Sequence, residues 1–356
     1  MTMPLLAKPL GLRAADLHDA RDCARLDAFV RAHPEGTPFH LTGWGRAVAA
    51  GCGQRAHCLV AERADGSIAG LLPLTEIRSF LFGRVLVSSG FGVGGGILAE
   101  DAAATRVLTD AGWAMAQQLG CPTMELRGGA APGEGWATDD ETYLGFARPL
   151  AADDEAELAA ITRKHRAEVR KGLAGDLQVA CGGPDQLAAH YATYAESVRN
   201  LGTPVFPRRL FSEVLNAFGA DADILTVSHR GAPVAAVLSL YMNGTVYPYW
   251  GGGTHEARSL RANERLYFAL MGHARARGCT RFDFGRSKAG TGPAAYKKNW
   301  GFEPQPLRYF KRSADGVAPR DVNPLSPRYQ ARIAAWKKLP GWAAKLIGPV
   351  IARGLG

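Results

Sequence analysis

Between Arg281 and Glu303 the chain reads RFDFGRSKAGTGPAAYKKNWGFE, its most informative stretch for chemistry. The pattern predicts a strand that ends at Asp283-Phe284. A glycine-rich loop with Arg286 and Lys288 follows, then a short helix with Tyr296, Lys297 and Lys298, closed by Trp300-Gly301-Phe302. Polar and cationic residues just past a strand end are where open α/β sheets place their ligands. The plain alternative is a surface hairpin with ordinary lysines.

A second cationic group lies in RKHRAEVRK. Arg163, Arg166 and Arg170 fall on one helix face by i, i+3, i+7 spacing, suited either to phosphates or to a solvated surface. GFGVGG, with Gly90, Gly92 and Gly95, matches the letters of a dinucleotide-binding loop. Ile97-Leu98 continue it as a strand where that fold requires a helix, so a glycine-rich strand crossing is the better reading. P-loop, HExxH and GxSxG motifs do not occur. The six cysteines are scattered without metal-ligand spacing. They read as reduced core residues of a cytoplasmic protein, with no metal site expected.

The elements that must position these residues follow from length and repetition. A chain of 356 residues that is 47% hydrophobic is long enough for two cores. LVAERADGSIAGLLPL (59–74) is echoed by LTVSHRGAPVAAVLSL (225–240). AMAQQLGCPTMELR (114–127) is echoed by GHARARGCTRFDFG (272–285), pairing Glu125 with Asp283. Each half reads as hairpin strands, a helix and a final strand. Helices are expected at about 101–119 and 264–277. The second places Leu266, Tyr267, Leu270, Met271 and Ala274 on one face and takes Asn263 as N-cap. Two further helices, about 153–172 and 185–199, lead into the second half. The reading is mixed α/β, with residues 1–140 and 141–320 as tandem units and 321–356 as a tail.

Strand, helix, strand and then AYKKNWGFEP resemble the Gcn5-related N-acetyltransferase (GNAT) fold. Two such halves resemble the FemAB/FemX aminoacyltransferases, and Trp44 sits where that family often has a tryptophan. SVRNLGTPVFPRRLF (197–211), YPYWGGG (247–253) and 282–304 are most similar to the FemAB-related branch associated with PEP-CTERM/exosortase and exopolysaccharide systems. The resemblance implies N-acyl or aminoacyl transfer to an amine of a cell-envelope or exopolysaccharide precursor. It implies no resident cofactor, a donor that is aminoacyl-tRNA or acyl-CoA, and no sequence-specific nucleic-acid binding. It assigns Lys297, in the pair Tyr296-Lys297, to the oxyanion. Asp283 would orient or deprotonate the amine or serve only at the strand end. Arg286 and Lys288 would hold acceptor phosphates or a carboxylate, and Arg199 and Asn200 would line the acceptor pocket. One departure stands out. Arg261 and Asn263 occupy the two glycine positions of the loop that cradles the pyrophosphate of coenzyme A in GNAT enzymes. Acyl-CoA-dependent transfer and a non-catalytic binding role remain as alternatives.

Of the net charge of +9, +6 lies between Arg320 and Gly356, where seven basic residues face Asp321 alone. Tyr329, Ile333 and Trp336 form one apolar stripe there, flanked by Arg328, Arg332, Lys337 and Lys338. Trp342, Leu346, Ile347, Val350 and Ile351 form another, with Lys345 and Arg353. Basic amphipathic helices with tryptophan suit a membrane interface. No span and no signal peptide are expected, so the predicted location is the cytoplasm, with peripheral contact at the inner membrane face through 327–353. The alternative is a tail packed on the second unit.

Overall fold

A computed structural model describes residues 10–317 and 334–356. The first half contains β1 (Gly11–Ala14), α1 (Ala20–Ala32), α2 (Thr42–Cys52), β2 (Arg55–Glu62), β3 (Ile68–Ser79), β4 (Gly83–Ser88), β5 (Leu98–Ala99), α3 (Ala102–Gln118), β6 (Thr123–Arg127), β7 (Ala137–Asp139) and β8 (Tyr143–Pro149). Next come α4 (Asp154–Ala160), α5 (Arg163–Ala174), β9 (Gln178–Gly182), α6 (Leu187–Leu201) and α7 (Arg208–Phe218). The second half continues with β10 (Ala222–His229), β11 (Ala232–Met242), β12 (Thr245–Gly253), α8 (Ala257–Leu260), α9 (Ala262–Ala276) and β13 (Arg281–Lys288). It closes with α10 (Gly292–Asn299), β14 (Pro304–Pro306), β15 (Tyr309–Ser313) and α11 (Gly341–Ala352).

The expected repetition appears in the topology. β2, β3 and β4 form an antiparallel meander, α3 crosses over, and β6 returns parallel to β4. β10, β11, β12, α9 and β13 repeat that path. Gly120 and Gly278 end the two crossover helices at matching points, both with φ in the left-handed region that glycine tolerates.

The closing strands change places. The first sheet runs β1-β2-β3-β4-β6-β15-β7, and the second runs β14-β8-β13-β12-β11-β10-β9. By the repeat, β8 follows the first half's final strand as β15 follows the second's, yet β8 lies between β13 and β14 and β15 lies between β6 and β7. The stretch 309–313, read from sequence as part of the second unit, is thus hydrogen-bonded into the first sheet.

Three cores result. One covers the face of the first sheet under α3 and one the face of the second sheet under α5 and α9. The third lies between the halves, where α2 and sheet one meet α6, α7 and sheet two. At its centre Trp44 is fully buried, stacks on Trp250 at 5.6 Å, and donates its indole N–H to Gly90 O at 3.0 Å. Gly90 sits so close to Thr75 that a Cβ would lie 2.8 Å from its Cβ. The GFGVGG run is therefore a packed crossing into β5, with α3 beginning only at Ala102.

The structure corrects several expectations. The helix expected over 153–172 is two helices, α4 and α5. Thr162, between them, donates from both its N–H (3.2 Å) and its hydroxyl (2.9 Å) to Asn299 O, which fixes the break. Asn263 lies inside α9, whose N-cap is Arg261 at φ +57°. Cys181 is exposed, whereas the other five cysteines are buried. Tyr329, Ile333, Arg328 and Arg332 lie outside the described residues. α11 packs through Ala343, Ala344, Gly348 and Ala352, while Trp342, Leu346, Ile347 and Val350 are exposed. The tail thus packs by its small residues and presents its large ones.

Trp44→Ala should cost about 3–5 kcal/mol in denaturant unfolding, because it opens a cavity in the shared core. Trp342→Ala, exposed on α11, should change stability by no more than about 0.5 kcal/mol. Similar costs for the two would mean that the central core does not hold the halves.

Candidate active site

β12 and β13 pair in parallel only at Thr245–Arg281 and Val246–Phe282, and then diverge. β4 and β6 do the same, pairing only at Leu86–Met124 and Val87–Glu125. A cavity of about 350 Å³ lies between the halves, where these diverging strand ends meet. Arg127, Arg286 and Lys297 bring cations to it, and Phe91, Tyr249, Trp250, Tyr267 and Phe284 supply aromatic walls.

A bulge shapes the second-half side. Asp283 faces Ala147 and Arg286 faces Gly145, so Phe284 and Gly285 together oppose Phe146 alone. Gly285 takes φ +68°, a conformation that favours glycine. Its N–H donates to Asp283 Oδ1 at 2.9 Å, fixing the bend. Burial raises the Asp283 carboxyl, against the Gly285 N–H and the charge of Lys297, which pull it down.

Lys297 comes from α10, which is held by the buried residues Ala294 and Trp300, with buried Phe302 just beyond. Its Nζ donates to Arg286 O at 2.9 Å and lies 5.4 Å from the ring centres of both Phe146 and Phe284. Burial pushes the ammonium down to about 7; Asp283 pulls it up and Arg286 pushes it further down. Near neutral pH this amine exists in both protonation states, as a proton donor or acceptor requires.

Arg286 is clasped between the two exchanged strands. Its Nη1 donates to Tyr309 Oη at 2.6 Å, and its guanidinium lies 4.7 Å from the Tyr143 ring centre. Tyr143 opens β8, Tyr309 opens β15, and their rings are 5.0 Å apart. Arg127 occupies the matching place in the first half. Its Nε donates to Glu125 at 2.8 Å and its Nη2 to Gly356 O at 3.2 Å, where Leu355 and Gly356 also line the cavity. Burial favours the neutral Glu125 carboxyl, but Arg127, Lys311 and Arg286 outweigh it and hold the group low.

Of the sequence-predicted residues, Lys297 and Arg286 line the cavity. Asp283 stands behind them at the bulge. Lys288 lies 5.6 Å from the Tyr143 ring, outside the lining. Tyr296 packs among His165 (5.4 Å), Tyr267 (6.2 Å) and Trp300 (6.3 Å), and it does not line the cavity. Arg199 lies against α11, its Nη1 beside Gly341, and neither Arg199 nor half-buried Asn200 lines the cavity. Arg163 and Arg170 are exposed on α5. Arg166 donates to Ala159 O (2.8 Å) and Ile161 O (3.0 Å), so it ties α5 to the end of α4 instead of completing a free phosphate face. Arg127 was missed in the sequence. The repeat could have found it, since it follows Glu125 as Arg286 follows Asp283, with one residue added by the bulge.

The loop before α9 is closed. Arg261 is bound to Glu168 of α5 and to Arg258 O. A Cβ on Gly172 of α5 would lie 2.7 Å from Arg261 O, so α5 rests directly on this turn.

Residues 159–298 match the family model for the acetyltransferase (GNAT) domain. That span lies in the second half, which is thus similar to a GNAT acetyltransferase domain. Among solved structures, a crystal structure of FemX has a TM-score of 0.64 at 15% identity, over 84% of this chain and 96% of that one. A tandem GNAT protein from the clavulanic acid biosynthesis pathway gives 0.54 at 15% identity, over 87% and 100%. The C-terminal domain of a putative lysylphosphatidylglycerol synthetase from Agrobacterium fabrum gives 0.57 at 12% identity, over 83% and 93%. These likenesses establish a tandem GNAT-like fold. No curated protein matches the chain.

The titration of Lys297 is measurable without knowing the reaction. Amine-selective labelling read by mass spectrometry should show Lys297 becoming reactive around pH 7. Asp283→Asn removes the charge that favours the ammonium, so the midpoint should fall below the wild-type value. A wild-type midpoint near the ordinary 10.5 would remove the case for a tuned amine.

Proposed function

We propose that this protein is a FemAB-type N-acyl- or aminoacyltransferase acting on an amine of a cell-envelope or exopolysaccharide-type precursor. The observation that carries the reading is Lys297, held by Arg286 O in a cationic cavity at the meeting point of two GNAT-like halves. The acceptor amine attacks the carbonyl of an activated ester or thioester. A carbon–nitrogen bond forms, the bond to the carrier breaks, and the carrier leaves with a proton. Protonated Lys297 faces the oxyanion of the tetrahedral intermediate, where a positioned donor is worth most. Arg286 and Arg127 hold an anionic part of a substrate.

The closed turn at Arg261 favours a donor other than acyl-CoA, with aminoacyl-tRNA as the first choice. The association with PEP-CTERM/exosortase systems rests on the sequence resemblance alone. The deciding comparison is an untargeted mass-spectrometric inventory of envelope and exopolysaccharide precursors with and without the protein. Assays with purified protein and either aminoacyl-tRNA or acyl-CoA then separate the donors. Lys297→Ala should stay folded and lose about 10²-fold or more in turnover. Unchanged precursors, or full activity in folded Lys297→Ala, would overturn the assignment.

Peripheral membrane contact is part of this reading. Among the described residues no helix is long and apolar enough to cross a bilayer. Trp342, Leu346 and Val350 are nonetheless exposed beside Lys345, and so are Phe80 and Leu81 at the turn between β3 and β4. Gly354, just past α11, packs on Ser79 and Phe82, so the turn and the end of α11 adjoin. The pair of changes Trp342→Glu and Leu346→Glu should abolish sedimentation with anionic liposomes at low salt and leave the fold intact. Undiminished sedimentation would remove α11 from the contact.

A further inference from the structure

Cys181, Asp223 and His273 converge at the far edge of the second sheet, away from the cavity. Cys181 is on edge strand β9, opposite Leu225 of β10. Asp223 is near the start of β10, and His273 is in the last turn of α9. Their ligand atoms face one another, with Cys181 Sγ 3.5 Å from His273 Nε2 and 3.6 Å from Asp223 Oδ2, and Nε2 2.7 Å from Oδ2. We propose that these three side chains form a zinc-binding site.

The distances carry the argument. Zinc bonds of about 2.3 Å to sulfur and about 2.0–2.1 Å to nitrogen or oxygen, at tetrahedral angles, place sulfur roughly 3.5 Å from each of the other two ligand atoms. The two sulfur distances already have that value. Only the imidazole and carboxylate need to part, from hydrogen-bonding distance to about 3.3 Å, once the ion replaces the proton between them. Thiolate, imidazole and carboxylate together suit zinc, whereas calcium and magnesium take oxygen ligands.

The surroundings hold the carboxylate in place. Tyr241 donates to Asp223 Oδ1 at 2.8 Å, which turns Oδ2 toward Cys181 and His273. Arg277 donates to Oδ2 at 3.2 Å and stacks 3.8 Å from the Tyr241 ring centre. A carboxylate oxygen has a second lone pair, so Arg277 can keep its bond while the ion takes the other. Such outer partners orient metal ligands and tune their affinity. Asp223 is buried, the His273 side chain is 28% exposed and Cys181 is exposed, so the fourth position faces solvent and takes water. Binding releases the thiol proton to solvent and moves the imidazole N–H from Nε2 to Nδ1. It also ties β9 to β10 and α9.

The test uses the full chain, untagged, stripped with a chelator and kept reduced. Zinc titrated in competition with a chromophoric chelator should bind at one equivalent. Cys181→Ser and His273→Gln should each weaken that affinity tenfold or more. Cobalt(II) should give a thiolate charge-transfer band that Cys181→Ser removes. Cys181 is exposed, so its serine variant keeps the fold and remains informative even where His273→Gln destabilises the protein. Absence of stoichiometric uptake, or equal uptake by wild type and Cys181→Ser, would overturn the site.

Discussion

The exchange of β8 and β15 is the constraint on which the rest of the structure depends. Each of these strands satisfies its backbone hydrogen bonds in the sheet of the other half. Pulling the halves apart would strand both ladders, and unpaired buried backbone groups are costly. Two domains joined by a linker can rock about their interface. Here backbone pairing fixes the relative position of the halves, and so fixes the cavity. The first residues of the exchanged strands, Tyr143 and Tyr309, meet at the crossing and hold Arg286 between them. The most constrained point of the fold is thus also the point where a cation faces the cavity.

That position explains the charge arrangement. Glu125 stands behind Arg127 as Asp283 stands behind Lys297 and Arg286, in corresponding places of the two halves. The carboxylates make it tolerable to hold cations out of water, and the cations, not the acids, line the cavity. The arrangement favours negative charge at the cavity, whether carried by a substrate or developing on a carbonyl oxygen. Because Lys297 is anchored on a carbonyl, it needs little rearrangement to meet that charge.

The sequence made the fold class legible because the halves repeat local signals: turn glycines, alternating strands and Gly-Cys breaks at the ends of crossover helices. It also pointed to Lys297 and Arg286, since the AYKKNWGFEP segment carries its own strand-end context. The exchange was not legible, because a strand's pattern records burial and not which sheet will pair with it. Tyr296 misled for a related reason. It neighbours Lys297 in sequence, but successive residues of a helix project about 100° apart, and Tyr296 faces the aromatic cluster instead of the cavity. Arg166 misled because helix spacing identifies a face without showing that the C-terminal carbonyls of α4 lie beside it. Cys181 gave no sequence signal, since its neighbours Asp223 and His273 lie 42 and 92 residues away.

The two helix starts argue together about the donor. A GNAT fold can bind pyrophosphate at the N-terminus of its crossover helix, where free N–H groups and the helix dipole favour anions. In the second half the turn leading into that helix is packed under α5, with Arg261 bound to Glu168. In the first half, Asp101 accepts the Ala104 N–H at 2.8 Å and pairs with Arg63, so a carboxylate already sits where a phosphate would. On the proposed function, recognition of the activated donor falls to the cavity at the strand crossing, with its aromatic walls and three cations. A carrier held there would be bound close to its reactive ester.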